Sequence, residues 1–163
     1  MIALQMKSSR EFMGKLLTSE CFDHFLMLEA QIVTANSYTI DGHIQKDFYT
    51  QEEWEDESLS PDKISDWNGM RPVVHSLIKG KHTPVRFQII LQLSVKDRAE
   101  VLPEQESKDI STLLCTIRYE NGQTVLISGV SYRSFSMDKE PERVWEKKLK
   151  DFLTENKIEF EET

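Results

Sequence analysis

The sequence has little cysteine, and its cysteines are not spaced for chemistry. Cys21 and Cys115 are the only two, so the chain has no Cys-x-x-Cys pair for zinc binding or disulfide exchange. No signal peptide precedes the opening "MIALQMK", so we expect reduced thiols. Cys115 lies in an apolar strand pattern, which predicts a buried structural thiol rather than a nucleophile.

The sequence also lacks a long apolar run. No segment approaches the roughly 20 apolar residues that a membrane-spanning helix requires. With 28 acidic and 20 basic residues, the formal net charge is −8. These features predict a cytoplasmic protein with no membrane partner. The charge argues against a surface that attracts nucleic acid as a whole, but not against a local basic face.

Motifs for catalysis and metal binding are missing as well. The four histidines do not flank a glutamate at helical i, i+4 spacing, and no serine occupies a G-x-S-x-G elbow. The acidic run at 52–57 lacks the spaced glycine of a calcium loop, so a solvated surface is the better interpretation. We therefore name no catalytic residue and expect no metal and no cofactor. A non-enzymatic protein is favoured, and an enzyme whose reaction the sequence does not identify is the alternative.

The composition present is that of an ordinary globular chain. Its 163 residues are 39% hydrophobic and 29% charged, which predicts a single domain over 1–163 with a core of its own. An acidic surface excursion is expected at about 50–65, and a C-terminal helix at about 139–156. The tail "KIEFEE" is expected to be acidic, with the potential to add an edge strand.

Apolar periodicity predicts the remaining elements. A first helix is predicted over Ser9–Leu17, and a second helix ends at Lys79. Two strands fit 25–33 and 37–46 with Gly42 as a bulge, although Asp41-Gly42 is a competing hairpin turn. Asn121-Gly122 is the standard type I′ hairpin signal. The predicted order is β-α-β-β-(α)-α-β-β-β-α, an α+β fold with an antiparallel sheet and helices packed mainly on one face.

The stretch "LIKGKHTPVRFQIILQLS" raises the question of an anion site. It is not a phosphate-binding loop, because the spacing of its glycine is wrong and it runs from helix to strand. A structural explanation accounts for each residue: Gly80 takes a left-handed conformation after the helix, the lysines complement the helix end, and Pro84 prevents continuation. In the strand, Val85 and Phe87 are expected to face the core.

The same stretch carries the candidate binding residues. The tentative contacts for an anion or nucleic acid are Arg71, Lys79, Lys81 and His82. Together with Lys7, Arg10 and Lys15 of the first helix region, they would form a positive stripe if both helices share one sheet face. The alternative is that they are ordinary solvated side chains.

The chain resembles an uncharacterised family of small proteins from Gram-positive anaerobic bacteria, a domain of unknown function. The segments that carry the resemblance are "MIALQMK", "CFDHFLMLEAQI", "YTIDGHIQKDFY", "RPVVHSLIKGKHTPVRFQIILQLS" and "FLTENKIEFEE". They cover almost the full chain. The resemblance implies a free-standing cytoplasmic domain and no activity or site residue.

A further likeness concerns layout only. Strand, helix, hairpin, later helix and "LLCTIRYENGQTVLISGVSYRSFSM" are similar in order to one domain of a DNA sliding clamp, which is acidic overall but has basic helices. A helix-grip fold, which would need an apolar pocket between sheet and helix, is comparable. The expected function is thus a non-enzymatic binding or interaction module. The alternatives are a clamp-like nucleic-acid-associated domain or a small-ligand domain, with protein partners or self-association open.

Overall fold

The computed structural model describes residues 1–102 and 109–163. The strands are β1 Ala3–Met6, β2 Leu26–Val33, β3 Ser37–Asp41, β4 Arg86–Gln92, β5 Ile110–Glu120, β6 Gln123–Tyr132 and β7 Phe160–Glu162. The helices are α1 Ser9–Leu17, α2 Gln51–Glu55, α3 Trp67–Ile78, α4 Val95–Val101 and α5 Glu140–Glu155, with a short 3-10 helix at Lys46–Phe48. The strands form one antiparallel sheet in the order β3-β2-β4-β5-β6-β1-β7.

This architecture confirms the predicted α+β fold and its antiparallel sheet. Two elements extend the predicted order: α4 follows β4, and the acidic tail adds β7 at the edge beside β1. The polar sequence "VKDRAEVLPEQESKD" predicts a helical turn and loop. Its first part is α4, and residues 103–108 lie outside the described residues.

The core lies between the sheet and the layer of α1, α3 and α5. α1 contacts α3, α3 packs on β2, and α5 packs on β6. The α5 side chains that face the sheet are fully buried: Trp145 and Leu149 are each 1% exposed and Leu153 is 0% exposed. Alternation in β4 places Phe87, Ile89 and Leu91 on this inner face. Helices therefore cover one face of the sheet.

Local signals in the sequence explain the ends of several elements. α1 has the predicted bounds, and the Ser8 hydroxyl accepts a hydrogen bond from the Glu11 backbone N–H at 3.2 Å. Thr50 and Glu53 form a reciprocal capping box at the start of α2. Asn121 and Gly122 have φ values of 54° and 76°, the left-handed pair that a type I′ turn requires.

The hairpin of β2 and β3 turns at 34–36, as predicted, but β3 is shorter than predicted and ends at Asp41. The irregularity expected at Gly42 lies opposite it in β2, where the register against β4 shifts between Met27 and Glu29. The Gly42 N–H donates to the Leu28 carbonyl at 2.9 Å. Gly42 therefore permits close backbone contact with the bulged strand instead of forming the bulge.

The end of α3 differs from the prediction. Lys79 is the C-cap, as predicted, but it continues in extended backbone with ψ 146°, and the glycine with positive φ is Gly122 rather than Gly80. The predicted left-handed stop at Gly80 is therefore wrong, because extended backbone at Lys79 already ends the helix. Pro72 is the sixth residue of α3, beyond the first turn. Val85, expected to face the core, is 55% exposed because it precedes β4.

Candidate nucleic-acid interface

The loop between α3 and β4 presents a group of cations. Its backbone is anchored by the buried Pro84 and by the Val85 N–H, which donates to the Val33 carbonyl at 2.8 Å. The side chains between these anchors and the helix point into solvent. The exposed basic residues of this loop and of the first position of β4 are Lys79, Lys81, His82 and Arg86.

A wider feature of the sequence surrounds this loop. Residues 67–96 contain five lysines and arginines and no aspartate or glutamate, although the whole chain has 28 acidic residues. The segment is bounded by Asp66 and Asp97. Taken singly, the charges point to Lys79 and Lys81, but the stronger signal is this uninterrupted absence of acids. It could have been found by counting charges in windows along the chain.

The sheet register brings further cations to the same end of the molecule. Arg86 pairs with Val33 and with Glu120, so the β2–β3 and β5–β6 turns lie beside the loop. α1 begins at this end too, because the Ser9 hydroxyl donates to the Gly122 carbonyl at 3.0 Å. We define the basic end by the residues gathered here: Lys7, Arg10, Lys79, Lys81, His82 and Arg86.

The opposite end of the sheet is acidic. β3, β4 and β6 all end there, so the segments that follow them lie together at that end. These segments include α2 with its acidic run at 52–57, α4 with Asp97 and Glu100, and the approach to α5 with Asp138. We call this the acidic end. The molecule is thus electrostatically polar along the strands, a property that its net charge conceals.

The structure divides the sequence-predicted group. Lys79, Lys81 and His82 share the loop, whereas Arg71 lies two turns earlier in α3 and is engaged with Asp23. The Arg71 Nε and Nη2 atoms donate to the two Asp23 carboxylate oxygens, each at 2.9 Å, and the two side chains are 18% and 16% exposed. The hydrogen bonds to Asp23 raise the pKa of Arg71. Arg71 thus connects α3 to the turn before β2.

The cations of the loop are not paired with a carboxylate in this way. Within residues 1–102 and 109–163, none of Lys79, Lys81, His82 and Arg86 forms an ion pair or a side-chain hydrogen bond. Even the neighbouring Glu120, opposite Arg86 in the sheet, is not in contact distance for an ion pair. These side chains are therefore available to an external anion without the cost of breaking an internal pair.

A polar groove continues from this end along the uncovered sheet face. It has a volume of about 380 Å³ and is lined by side chains from β2 to β5, including Arg86, Gln88 and Arg118. The Arg118 Nε–H donates to the Gln88 side-chain oxygen at 2.8 Å. Phe87 and Tyr119 also line the groove, but their side chains are only 3% and 8% exposed and their rings stack on each other at 5.2 Å. The groove therefore offers hydrogen-bond donors, together with Glu120, and little exposed ring surface for base stacking.

Neither metal binding nor the buried thiol Cys115 offers an alternative site among the described residues. No group of three His, Cys, Asp or Glu side chains that could hold a metal ion occurs among them. Cys115 is fully buried, as predicted, and burial raises the pKa of its thiol to about 12. In the part of the chain that the structure describes, no helix is long and apolar enough to cross a membrane.

Comparison with known proteins identifies a family but no activity. A family model, "Family of unknown function (DUF5721)", matches residues 15–161. The match begins within α1, so the opening "MIALQMK" lies outside it. No curated protein and no solved structure matches the chain.

Proposed function

Because the chain belongs to this family of unknown function, DUF5721, we propose its function from the geometry: a binding module whose basic end contacts the phosphate backbone of a nucleic acid. The observation that carries the proposal is the group of exposed cations Lys79, Lys81 and Arg86 in the acid-free segment 67–96, at the same end of the sheet as Lys7 and Arg10. Each cation that contacts a phosphate releases condensed counterions from the nucleic acid. A cation that has no ion-pair partner inside the protein makes this contact without breaking an internal pair.

The acidic end does not cancel this attraction. β5 has 11 residues and therefore spans about 35 Å along the sheet. The Debye length at physiological ionic strength is about 8 Å, so exposed charges at opposite ends are screened from each other. A phosphate at the basic end therefore senses the local lysines and arginines rather than the net charge of −8. The acidic end instead disfavours binding in the reverse orientation.

The side chains at the basic end favour backbone contact over base recognition. Single-stranded nucleic acid is commonly held by aromatic side chains on which bases stack. The large apolar side chains exposed near the basic end are the aliphatic Val73 and Val85, at 45% and 55% exposure. Phosphate contacts fix position without reading sequence. We therefore expect binding to a duplex with little dependence on its sequence.

Fluorescence anisotropy with a labelled duplex at low salt tests this proposal. We expect Lys79→Glu/Lys81→Glu to weaken binding at least about tenfold and to reduce the slope of log K against log salt by about 2. The matched control is Lys46→Glu/Lys96→Glu, which changes net charge equally at the acidic end. Lys79→Gln/Lys81→Gln should give an intermediate loss. Equal losses in both Glu pairs, or no binding by the wild type at low salt, would refute the proposal.

A clamp-like assembly is a second candidate, and the packing of α1 against α3 favours it. These two helices run in opposite directions on one sheet face. Arg10 of α1 and Lys79 at the end of α3 are exposed, and Lys15 of α1 is half-buried. One chain supplies one seven-stranded sheet, so a ring around a duplex would require several copies. Native mass spectrometry tests this candidate: a ring-sized oligomer supports it, and a monomer at all concentrations with DNA present contradicts it.

The helix-grip candidate receives no such support. That fold would hold its ligand between the sheet and the C-terminal helix. Here α5 packs directly on the sheet through Trp145, whose indole N–H donates to the Leu114 carbonyl at 2.7 Å. The side chains of Leu149 and Leu153 are buried beside it.

A further inference from the structure

A cleft at the acidic end is distinct from the basic end and has a different character. It lies between α4, α5 and the turn that precedes β2, and its volume is about 270 Å³. Its floor is apolar, formed by Phe25, Leu93, Trp145, Leu149 and Phe152. Such a volume is at the small end of ligand sites, which commonly have about 300–1,000 Å³. It would hold one ring and a short chain.

The rim of the cleft is charged. α4 contributes Asp97 and Glu100, and α5 contributes Glu155 and a single cation, Lys148. Among the described residues, none of these four side chains forms an ion pair. Three carboxylates thus face one ammonium group above an apolar floor. This arrangement leaves an excess of negative charge that a bound cation would neutralise.

His24 completes the wall without adding positive charge. Its ring lies 4.3 Å from the ring of Phe25 and 5.2 Å from that of Phe152, measured between centroids. Partial burial lowers the pKa of His24, and the nearby Asp97 only partly opposes this effect. The surroundings of His24 therefore disfavour a positive charge on the imidazole. Phe25 is only 2% exposed, so the half-buried ring of Phe152 is the aromatic surface that suits a cation or a ring.

We propose that this cleft binds a small organic amine that carries a single ring. The ring lies on the phenylalanine side of the floor, and the ammonium group lies among the carboxylates of α4 and α5. A carboxylic acid of the same shape would be repelled by Asp97, Glu100 and Glu155. A neutral alcohol would retain only the apolar contacts. The charge of the ligand therefore sets its affinity for the cleft, and the ring sets its position on the floor of the cleft.

Titration of the full chain followed by ¹H–¹⁵N NMR, with phenethylamine as the probe, tests this proposal. We expect saturable shifts at the amides of His24, Asp97 and Phe152, with a Kd in the range of about 0.1–10 mM. The matched probes 2-phenylethanol and phenylacetate have the same ring with neutral and negative groups. Phenylethanol should bind more weakly, and phenylacetate at least about tenfold more weakly than the amine.

Charge variants separate the ammonium contact from general apolar binding. Glu100→Gln/Glu155→Gln should weaken the amine several-fold and leave the alcohol unchanged, whereas Glu52→Gln/Glu57→Gln, with the same net charge, should leave both unchanged. Lys148→Gln should strengthen amine binding, a gain that misfolding cannot produce. Equal binding of amine and acid, shifts that do not saturate or spread away from the cleft, or no effect of Lys148→Gln would each overturn the proposal.

Discussion

Gly42 allows two segments of the sheet to approach each other closely. A Cβ atom at this position would lie 1.7 Å from the Met27 carbonyl oxygen and 2.9 Å from that of Leu28. The φ angle of Gly42 is not in the left-handed region, so the requirement is one of space. The segment that leaves β3 therefore passes β2 at a distance that only glycine allows.

Replacement of Gly42 by alanine should be strongly destabilising. We expect Gly42→Ala to lower the free energy of unfolding by about 3 kcal/mol, because backbone atoms must move to admit the methyl group. The control is Gly69→Ala in α3, where nothing lies within 4 Å and alanine is the better helix former, so stability should rise by up to about 1 kcal/mol. Urea denaturation measures both. Equal stabilities of the two variants would contradict the close approach.

The two cysteines should differ in reactivity. Burial raises the pKa of both thiols, but Cys115 is fully buried with a pKa of about 12, whereas Cys21 is half-buried. Since the thiolate is the reactive form, a thiol reagent at pH 8 should label one site in the native protein and two in denaturant. The variant Cys21→Ser should show no native labelling. Native labelling of that variant would contradict the burial of Cys115.

Among the helices, α3 departs most from the helix propensities of its own residues. It contains Pro72 in its interior, where the missing N–H cannot donate to the carbonyl of Asn68. The helix nevertheless forms, because Trp67, Val74 and Ile78 are buried against the core and Arg71 is held by Asp23. Tertiary contacts thus outweigh an unfavourable propensity.

Replacement of Pro72 by alanine should therefore stabilise the protein. The exposed side chain leaves room for alanine, and the substitution restores a helical hydrogen bond. The gain is reduced by the greater freedom of alanine in the unfolded chain, which leaves a net increase of about 1–2 kcal/mol. Thermal unfolding measures it. A lower melting temperature would show that proline has a structural role in α3.

For the molecule as a whole, the separation of charge along the strands is the feature on which the proposed nucleic-acid binding depends. The cations of the basic end come from the end of α3, the start of β4 and the start of α1, which lie far apart in sequence. Arg71 belongs to the same acid-free segment but has a structural partner. Stability and nucleic-acid binding should therefore be separable by mutation.

The comparison of Arg71 with the loop lysines tests that separation. We expect Arg71→Ala to reduce stability by roughly 1–3 kcal/mol, because it leaves the largely buried Asp23 carboxylate without these two hydrogen bonds. It should alter duplex binding by less than Lys79→Glu/Lys81→Glu, which should leave the denaturation midpoint nearly unchanged. Denaturation and anisotropy on the same samples measure both. A larger loss of duplex binding in Arg71→Ala than in Lys79→Glu/Lys81→Glu would contradict the structural role of Arg71 and the binding role of the loop lysines.

The sequence alone predicted α1, the β5–β6 turn and the α+β class, because these depend on neighbours within a few residues. Ser8 with Glu11 and Asn121 with Gly122 are local signals, and alternation marks a strand whatever it pairs with. The left-handed stop at Gly80 was predicted wrongly, because a glycine permits that conformation without requiring it.

Which charges lie together, and which are already paired inside the protein, follows from packing between distant parts of the chain. Lys7 and Lys79 are brought to one end by strand register, and register depends on pairing between residues that are distant in the chain. The pairing of Arg71 with Asp23 likewise separates a structural cation from the binding candidates. The sequence determined the local elements through short-range chemistry. The packing of the sheet and helices determined which charged residues form the basic end and which form the acidic end.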